Sequence, residues 1–571
     1  MMSNEQTTIE GLFGNISTHY EIPSYQRAYS WGKEQWAQFF DDLEDADSGY
    51  YLGHYLFERA GKTLLVIDGQ QRLTTCVVFV RAVCDVLAGN ERYAKDLRIW
   101  QRCYLEDPDQ GPRLQTVAYD NPLFQDCIVA GKKAPASFRT LSSMRIVEAR
   151  EYFARRLSVY EGARVAELMR RLAEAVVTVY PVSDRTMAAQ IFAYQNDRGK
   201  ELTKLETIKA QLMLTVYRKG GSESSKKIVI SSLDQRFAEI YETITRARLD
   251  EDRVLANFWK ARTDYGAGDV VEEVKAELAE SENPVEWATE FVAQLSVAFS
   301  FVEKFLADGG EYPVRLRQMN NLALAYPFMI KAYICGVKME SKAFGRLMRL
   351  LENLTFRSLI RGGRADIQTR LNGHLRQIKD EASLITEIEA IITAIKEGWW
   401  YGYWSDAEMA RCLDGWFYGN RVDNYLLWQY ELSLYDHGYN GPVAVTASEM
   451  LKQESIEHIA PQTNPGEELA NGYGRYVDKE NEERGIESGG WMNCLGNLML
   501  ASQSQNSYLG NHPFAFKLED YSRNVLKQQT GIAQYAEKDE KGRPVWTVES
   551  IRKRHADIVA WAMKNWSVDR I

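Results

Sequence analysis

Glu457 and His458 stand side by side in Ile456-Glu457-His458-Ile459-Ala460-Pro461. A polar cluster follows in Asn493-Cys494-Leu495-Gly496-Asn497-Leu498-Met499-Leu500, with Asn506 nine residues past Asn497. Oxygen ligands from Glu457 and Asn506 suit a hard cation such as Mg²⁺, which takes few protein groups and keeps several waters. His458, neutral near physiological pH, can take a proton from a water attacking phosphorus. The cation would stabilise the charge building at phosphorus and on the leaving oxygen. A Glu-His pair by itself is more often a structural histidine beside a surface carboxylate. The asparagines at this spacing turn the reading towards metal-assisted phosphodiester hydrolysis on a strand pair followed by a helix.

A second constellation lies in Leu64-Leu65-Val66-Ile67-Asp68-Gly69-Gln70-Gln71-Arg72-Leu73-Thr74-Thr75. A short apolar strand ends in a carboxylate, Gly69 permits a tight turn, and a helix opens near Arg72 and runs to about residue 88. The unpaired N–H groups of the first helical turn and the positive end of the helix dipole make such a turn an anion site. Gln70, Gln71 and Arg72 add donors, and a guanidinium can grip a phosphate with two N–H groups. The neighbouring Gly61-Lys62-Thr63 is not a phosphate loop: position 56 is Leu where that pattern needs Gly, and a strand follows instead of a helix.

These groups need a scaffold of several domains. At 571 residues the chain should hold about three. The boundaries read as 1–220, a helical linker and DNA-contact region over 221–440, and 441–571, with Gly220-Gly221-Ser222-Glu223-Ser224-Ser225 as the best linker. Helical periodicity is expected over 33–46, 142–160, 162–175, 186–194, 205–217 and through most of 226–440, including one helix over 315–338; strands are expected over 51–58, 64–68 and 176–182. The fold class is therefore α+β and predominantly helical. The net charge of −10 excludes a global attraction to nucleic acid, but Lys342 to Lys379 hold nine basic and two acidic residues, a candidate track for the DNA backbone. No apolar run approaches the ~20 residues needed to span a bilayer, and the first residues lack a signal-peptide layout. Seven scattered cysteines with no CxxC pair argue for a reducing cytoplasm.

Both ends of the chain carry a resemblance. Glu-His-Ile-x-Pro, then Leu-Gly-Asn-Leu-x-Leu, then Asn506, with Phe514 and Lys517 downstream, resembles the HNH nuclease domain of GmrSD-like type IV, modification-dependent restriction enzymes. Pro23-Ser24-Tyr25-Gln26-Arg27-Ala28-Tyr29-Ser30-Trp31, Asp68 to Thr75, and Asn196-Asp197-Arg198-Gly199-Lys200-Glu201-Leu202-Thr203 with Lys209 resemble the partner domain of that family. The resemblance implies a ParB-like α/β sensor domain at the N-terminus, a helical middle, and a C-terminal ββα-metal nuclease domain. It makes His458 the general base, Glu457 and Asn506 the ligands of Mg²⁺ or Mn²⁺, and Asn497 the brace that orients the base; His512 is an alternative ligand or phosphate contact. It makes Asp68, Gly69, Gln70, Gln71 and Arg72 the pocket for an NTP, GTP or ATP, with Arg27 as a second phosphate ligand. Asn196, Arg198 and Lys209 would line that pocket or the surface that meets modified DNA. The implied protein is a cytoplasmic, NTP-regulated endonuclease that binds and hydrolyses NTP and cuts modified double-stranded phage DNA, with no membrane partner; a homodimer would supply the two sites of a double-strand break. Two other readings stand beside it: an NTP-switched DNA-binding protein with a degenerate nuclease, and an RNA-targeting nuclease of abortive infection.

Overall fold

The structure, a computed structural model, describes residues 5–45, 50–182, 202–263, 268–362, 367–398, 402–435, 455–463, 465, 471–474 and 488–571. It is mostly helical with a small mixed sheet, so the class is α+β. The chain divides into two compact units, Met1–Trp259 with Ala267–Lys304, and Lys260–Gly266 with Phe305–Ile571. The expected 221–440 helical region is thus shared between the units. Among the described residues no helix is long and apolar enough to cross a membrane. All seven cysteines are free.

The first unit is built on a six-stranded sheet. Its strands are β1 (Glu5–Thr8), β2 (His19–Glu21), β3 (Tyr51–Ala60), β4 (Thr63–Asp68), β5 (Leu114–Gln115) and β6 (Val176–Val182), in the spatial order β1-β6-β3-β4-β2-β5. The β3–β4 and β1–β6 pairs are antiparallel, the other three parallel. The β-branched run Val176-Val177-Thr178-Val179 takes a place inside the sheet, between β1 and β3, where such side chains pack well.

Helices α1 (Ile9–Phe13), α2 (Lys33–Asp45), α3 (Gln70–Val86), α4 (Leu141–Leu157) and α5 (Gly162–Glu174) bury their apolar residues in one core with the sheet. In α3 every side chain from Leu73 to Cys84 is buried, so this helix is the hub of the unit. Its one deep charge, Arg81, donates to the carbonyls of Ile128 at 2.6 Å and Val129 at 2.5 Å. Tyr20, Tyr25, Tyr29, Trp36 and Tyr55, the aromatic cluster near the N-terminus, also lie in the core.

Gly69 caps α3 at φ +92°, and a Cβ there would stand 2.4 Å from the Tyr55 ring. Both terms oppose any larger residue. Gly69→Ala is expected to lower the unfolding free energy by about 1–3 kcal/mol, the usual cost of overpacking, read from urea denaturation of the full chain.

The linker expected over 220–225 is shorter than its composition suggests. Helix α6 (Lys204–Lys219) ends, only Gly220 and Gly221 turn, and Ser222 already caps α7 (Glu223–Ala247) by accepting from the Ser225 N–H. The serines that read as linker residues are helix-start residues. The helix expected over 186–194 lies outside the described residues. The single helix expected over 315–338 is two, Glu311–Gln318 and Ala325–Ile334, interrupted at Asn320, which adopts φ +49°.

In the second unit, helix α8 (Lys342–Arg361) carries five of the nine basic residues of the window, and its arginines are engaged within the unit. Arg357, 1 % exposed, donates to Asp406, Asn353 and the carbonyls of Trp404 and Trp566. Arg346 pairs with Glu389, and Arg361 with Glu408. Arg349 donates to the carbonyl of Arg570. Four of the nine basic residues of the window are thus engaged by carboxylates and carbonyls of the same unit.

Candidate active site

The second unit holds an antiparallel strand pair, β7 (Ser455–His458) and β8 (Leu498–Ala501), with His458 opposite Leu498 and Glu457 opposite Met499. Helix α9 (Gln503–Leu509) follows β8 directly, capped by Ser502. A strand pair running into a helix is the local arrangement that the spacing of Glu457, Asn497 and Asn506 called for. Its core is formed by Ile459, Met499, Leu509, Phe514, Trp546 and neighbours.

His458 ends β7 and is 7 % exposed. Its Nε2 lies 3.1 Å from the Asn493 amide oxygen, and its ring meets Tyr418 at 4.5 Å in a T-shaped contact. With the ring N–H donated from Nε2 to Asn493, Nδ1 keeps the lone pair. Burial pushes the imidazole down to about 4, against a smaller upward effect of Asn493, so the ring is neutral at pH 7. The Asn493 carbonyl accepts from the N–H groups of Phe417 and Tyr418, which fixes the tyrosine against the histidine. Neither Asn493 nor Tyr418 was assigned from sequence. For Asn493 a signal existed, four residues before Asn497; for Tyr418 there was none.

Asn497 is fully buried and uses both ends of its amide. Its oxygen accepts from the Ala460 N–H at 2.8 Å and the Trp546 indole at 3.1 Å; its nitrogen donates to the carbonyls of Ala460 and Met492 at 3.0 and 2.9 Å. It therefore ties the turn before β8 to the residues just past His458.

Glu457 faces the other way. Neighbouring residues of a strand point to opposite sides. Its Oε1 accepts from Lys517 Nζ at 2.7 Å and the Tyr521 hydroxyl at 2.8 Å, both on α10 (Phe514–Ser522). Glu457 and Lys517 are 2 % and 0 % exposed, and burial pushes the carboxyl up and the ammonium down. The Lys517 ammonium also donates to the carbonyls of His458 at 3.0 Å and Ile459 at 3.3 Å. Asn506 donates from Nδ2 to the Ser455 hydroxyl and the Ile456 carbonyl, which leaves its amide oxygen as the acceptor facing away from these bonds. His512 is exposed, with its ring 4.3 Å from that of Phe516. No described contact joins it to Glu457, His458 or Asn506.

This donor set does not fit a divalent cation as arranged. The Lys517 ammonium takes the Oε1 side of the Glu457 carboxylate, where a cation bound to that oxygen would sit. Among the described residues no three His, Cys, Asp or Glu side chains converge. Glu457 here holds α10 against β7.

In the first unit the glycine turn braces the neighbouring segment. Gln71 Nε2 donates to the Ala28 carbonyl at 3.0 Å, and its Oε1 accepts from the Ser30 N–H at 2.8 Å. Gln26 reaches back to the Ile67 carbonyl at 2.8 Å. Arg72 turns towards β3: its guanidinium donates to the carbonyls of Leu52 and His54 at 3.1 and 2.8 Å and lies over the Tyr55 ring. Asp68 stands 3.2 Å from His54 and 3.7 Å from Arg72. So Arg72 clamps sheet to helix, although sequence made it a phosphate ligand. The side chain of Gln70 is half-buried at the start of α3.

Beside the braced segment lies a cavity of about 210 Å³, lined by Arg27, Arg145, Tyr119, Tyr241, Glu206 and Glu251 among others. Arg27 donates to Ser30 and stands 4.0 Å from Glu206. Lys209, on α6, is fully enclosed; its ammonium sits 4.9 Å over the Tyr119 ring with no hydrogen-bond partner among the described residues, and burial pushes it down. Asn196 and Arg198 lie outside the described residues.

Both halves of the chain match models of a single class of protein, the restriction endonucleases. Residues 9–213 match the GmrSD restriction endonuclease N-terminal domain, and residues 405–561 the C-terminal domain of the same enzymes. The two together span more than half of the chain, which belongs to the GmrSD family of type IV restriction endonucleases. A search of curated proteins found no match.

Proposed function

We propose that this restriction endonuclease cuts modified double-stranded phage DNA with His458 as general base, and that an NTP held in the first unit gates the cut. The observation that carries the base assignment is the buried, neutral His458 at the end of β7, with Nε2 held by Asn493 and Nδ1 left basic. In this reading Nδ1 takes the proton of the water that attacks the scissile phosphorus, and Asn493 keeps the ring in the required tautomer. Asn497 and Lys517 hold the backbone just past His458 from two sides, and Asn493 and Tyr418 hold the ring itself. Oε1 of Glu457 is held by Lys517 and Tyr521 and fixes α10 against the strand that carries His458. Nicking of matched phage DNAs with and without each base modification, in Mg²⁺, Mn²⁺ or EDTA and with or without NTP, tests the whole reading. Cleavage of RNA but not of DNA would replace it with the abortive-infection reading.

The NTP site follows the cavity. Arg27 and Arg145 supply the phosphate-binding charge, and Tyr119 and Tyr241 supply faces for a base. The Asp68-to-Arg72 turn acts through its hold on residues 28–30. A charge-assisted bond is worth about 1.5–3 kcal/mol, so Arg27→Ala is expected to weaken GTP or ATP binding roughly 10- to 100-fold. Arg72→Ala should lower the melting temperature and change NTP affinity far less. Equal NTP affinity in Arg27→Ala and wild type, by calorimetry on the full chain, would remove Arg27 from the pocket.

A further inference from the structure

Arg554 lies on α11 (Val548–Asn565), the C-terminal helix, and is 1 % exposed. One side of its guanidinium is satisfied: Nη1 donates to the carbonyls of Leu495, Gly496 and Leu498 at 3.0, 2.9 and 2.8 Å. The other side is not. Nη2 is buried with no hydrogen-bond partner, and no carboxylate lies within ion-pair distance of Arg554 among the described residues. An enclosed guanidinium without a counter-ion costs several kcal/mol unless something answers it.

Arg554 lines a cavity of about 220 Å³ together with Lys527, Thr530, Gln534, Tyr430 and Tyr535. No acidic residue lines it. The nearest buried carboxylate on an adjoining element, Glu431, is occupied by the N–H groups of Lys527 and Gln528 and by the Tyr435 hydroxyl. The Tyr535 hydroxyl is donated to Asp557 and that of Thr530 to the Lys527 carbonyl, so the two cations and the Gln534 amide are the groups around this small space that suit the oxygens of a phosphate.

We propose that this cavity is an anion site of the phosphate class, and that its occupant tightens the catalytic turn. Arg554, one of the residues that line the cavity, holds the carbonyls of Leu495, Gly496 and Leu498, which flank Asn497; Leu498 pairs with His458. Gln528, also in the cavity wall, accepts from the Leu500 N–H, so β8 is gripped at both ends. The phosphate is a free small anion or a phosphodiester of bound DNA.

The test is calorimetric titration of the full chain with inorganic phosphate at constant ionic strength, chloride replacing phosphate in the control, with and without a saturating DNA duplex. Wild type is expected to bind one phosphate saturably. Lys527→Gln and Arg554→Lys are expected to bind at least tenfold more weakly, and Gln534→Trp, which fills the cavity from an exposed position, not at all. Should Arg554→Lys fail to fold by thermal melting, the other two variants carry the result. Phosphate affinity lost on adding duplex identifies a DNA phosphodiester as the ligand; affinity unchanged identifies a free anion. Wild-type binding no tighter than that of chloride, or equal binding in Lys527→Gln and Gln534→Trp, overturns the site. The readout is binding, so it stands or falls separately from the cleavage mechanism.

Discussion

His458→Ala is expected to lower DNA cleavage by roughly 10²- to 10⁴-fold, the range that a general base contributes. The melting temperature should fall only modestly, because the variant leaves Asn497 and Lys517 in place to hold the hairpin. Plasmid nicking at matched protein concentrations is the assay, with thermal melting beside it. Cleavage that survives the change would remove His458 from the mechanism. A pH dependence follows from the same burial. The folded histidine titrates near 4 and the unfolded one near 6.5, so as pH falls the unfolded chain takes up the proton first. The stability that His458 contributes is complete above pH 6.5 and is lost as pH falls towards about 4, a difference of about 3 kcal/mol. Urea denaturation of wild type and His458→Asn between pH 7 and 4 isolates it from the titrating carboxylates: wild type should lose more. The catalytic counterpart is an acid limb of activity well below the ordinary histidine range.

Lys517→Met is expected to cost about 3–5 kcal/mol of stability, the loss found when one partner of a buried ion pair is removed. The Glu457 carboxylate would be left enclosed with only the Tyr521 hydroxyl, and the carbonyls of His458 and Ile459 would lose their donor. The double variant Glu457→Leu with Lys517→Met should recover much of that loss, since replacing both partners by apolar groups of similar volume is often neutral. Equilibrium denaturation of the three variants closes the cycle. A double variant as unstable as Lys517→Met alone would show that the lysine acts through the His458 and Ile459 carbonyls and not through Glu457. Equal stability of Lys517→Met and wild type would deny the pair any structural role.

Much of the local structure could be read from residue types. The strand ending at Asp68, the turn at Gly69 and the helix after it follow from an apolar run, a residue free to take positive φ and a long stretch of buried side chains. The strand pair and helix around His458 likewise follow the spacing of Glu457, Asn497 and Asn506. The opposite facing of Glu457 and His458 was also available, because adjacent strand residues cannot point to one side. The linker at 220–225 was misread because serine favours both linkers and helix caps, and only the helix that follows decides between them.

The sequence by itself determined the family, the strand–turn–helix at 64–88, and the strand pair followed by a helix around His458. The tertiary structure alone decided what each charge meets. Arg72 meets two carbonyls of β3 where a phosphate was expected, and Glu457 meets Lys517, sixty residues away, where a cation was expected. The arginines of α8 meet carboxylates and carbonyls of their own unit. The physical reason is range. Backbone conformation is set by neighbours within a few residues, whereas the partner of a long charged side chain is set by whatever the fold brings within about 4 Å of its tip, and the free energy of that encounter depends on burial that no local pattern encodes.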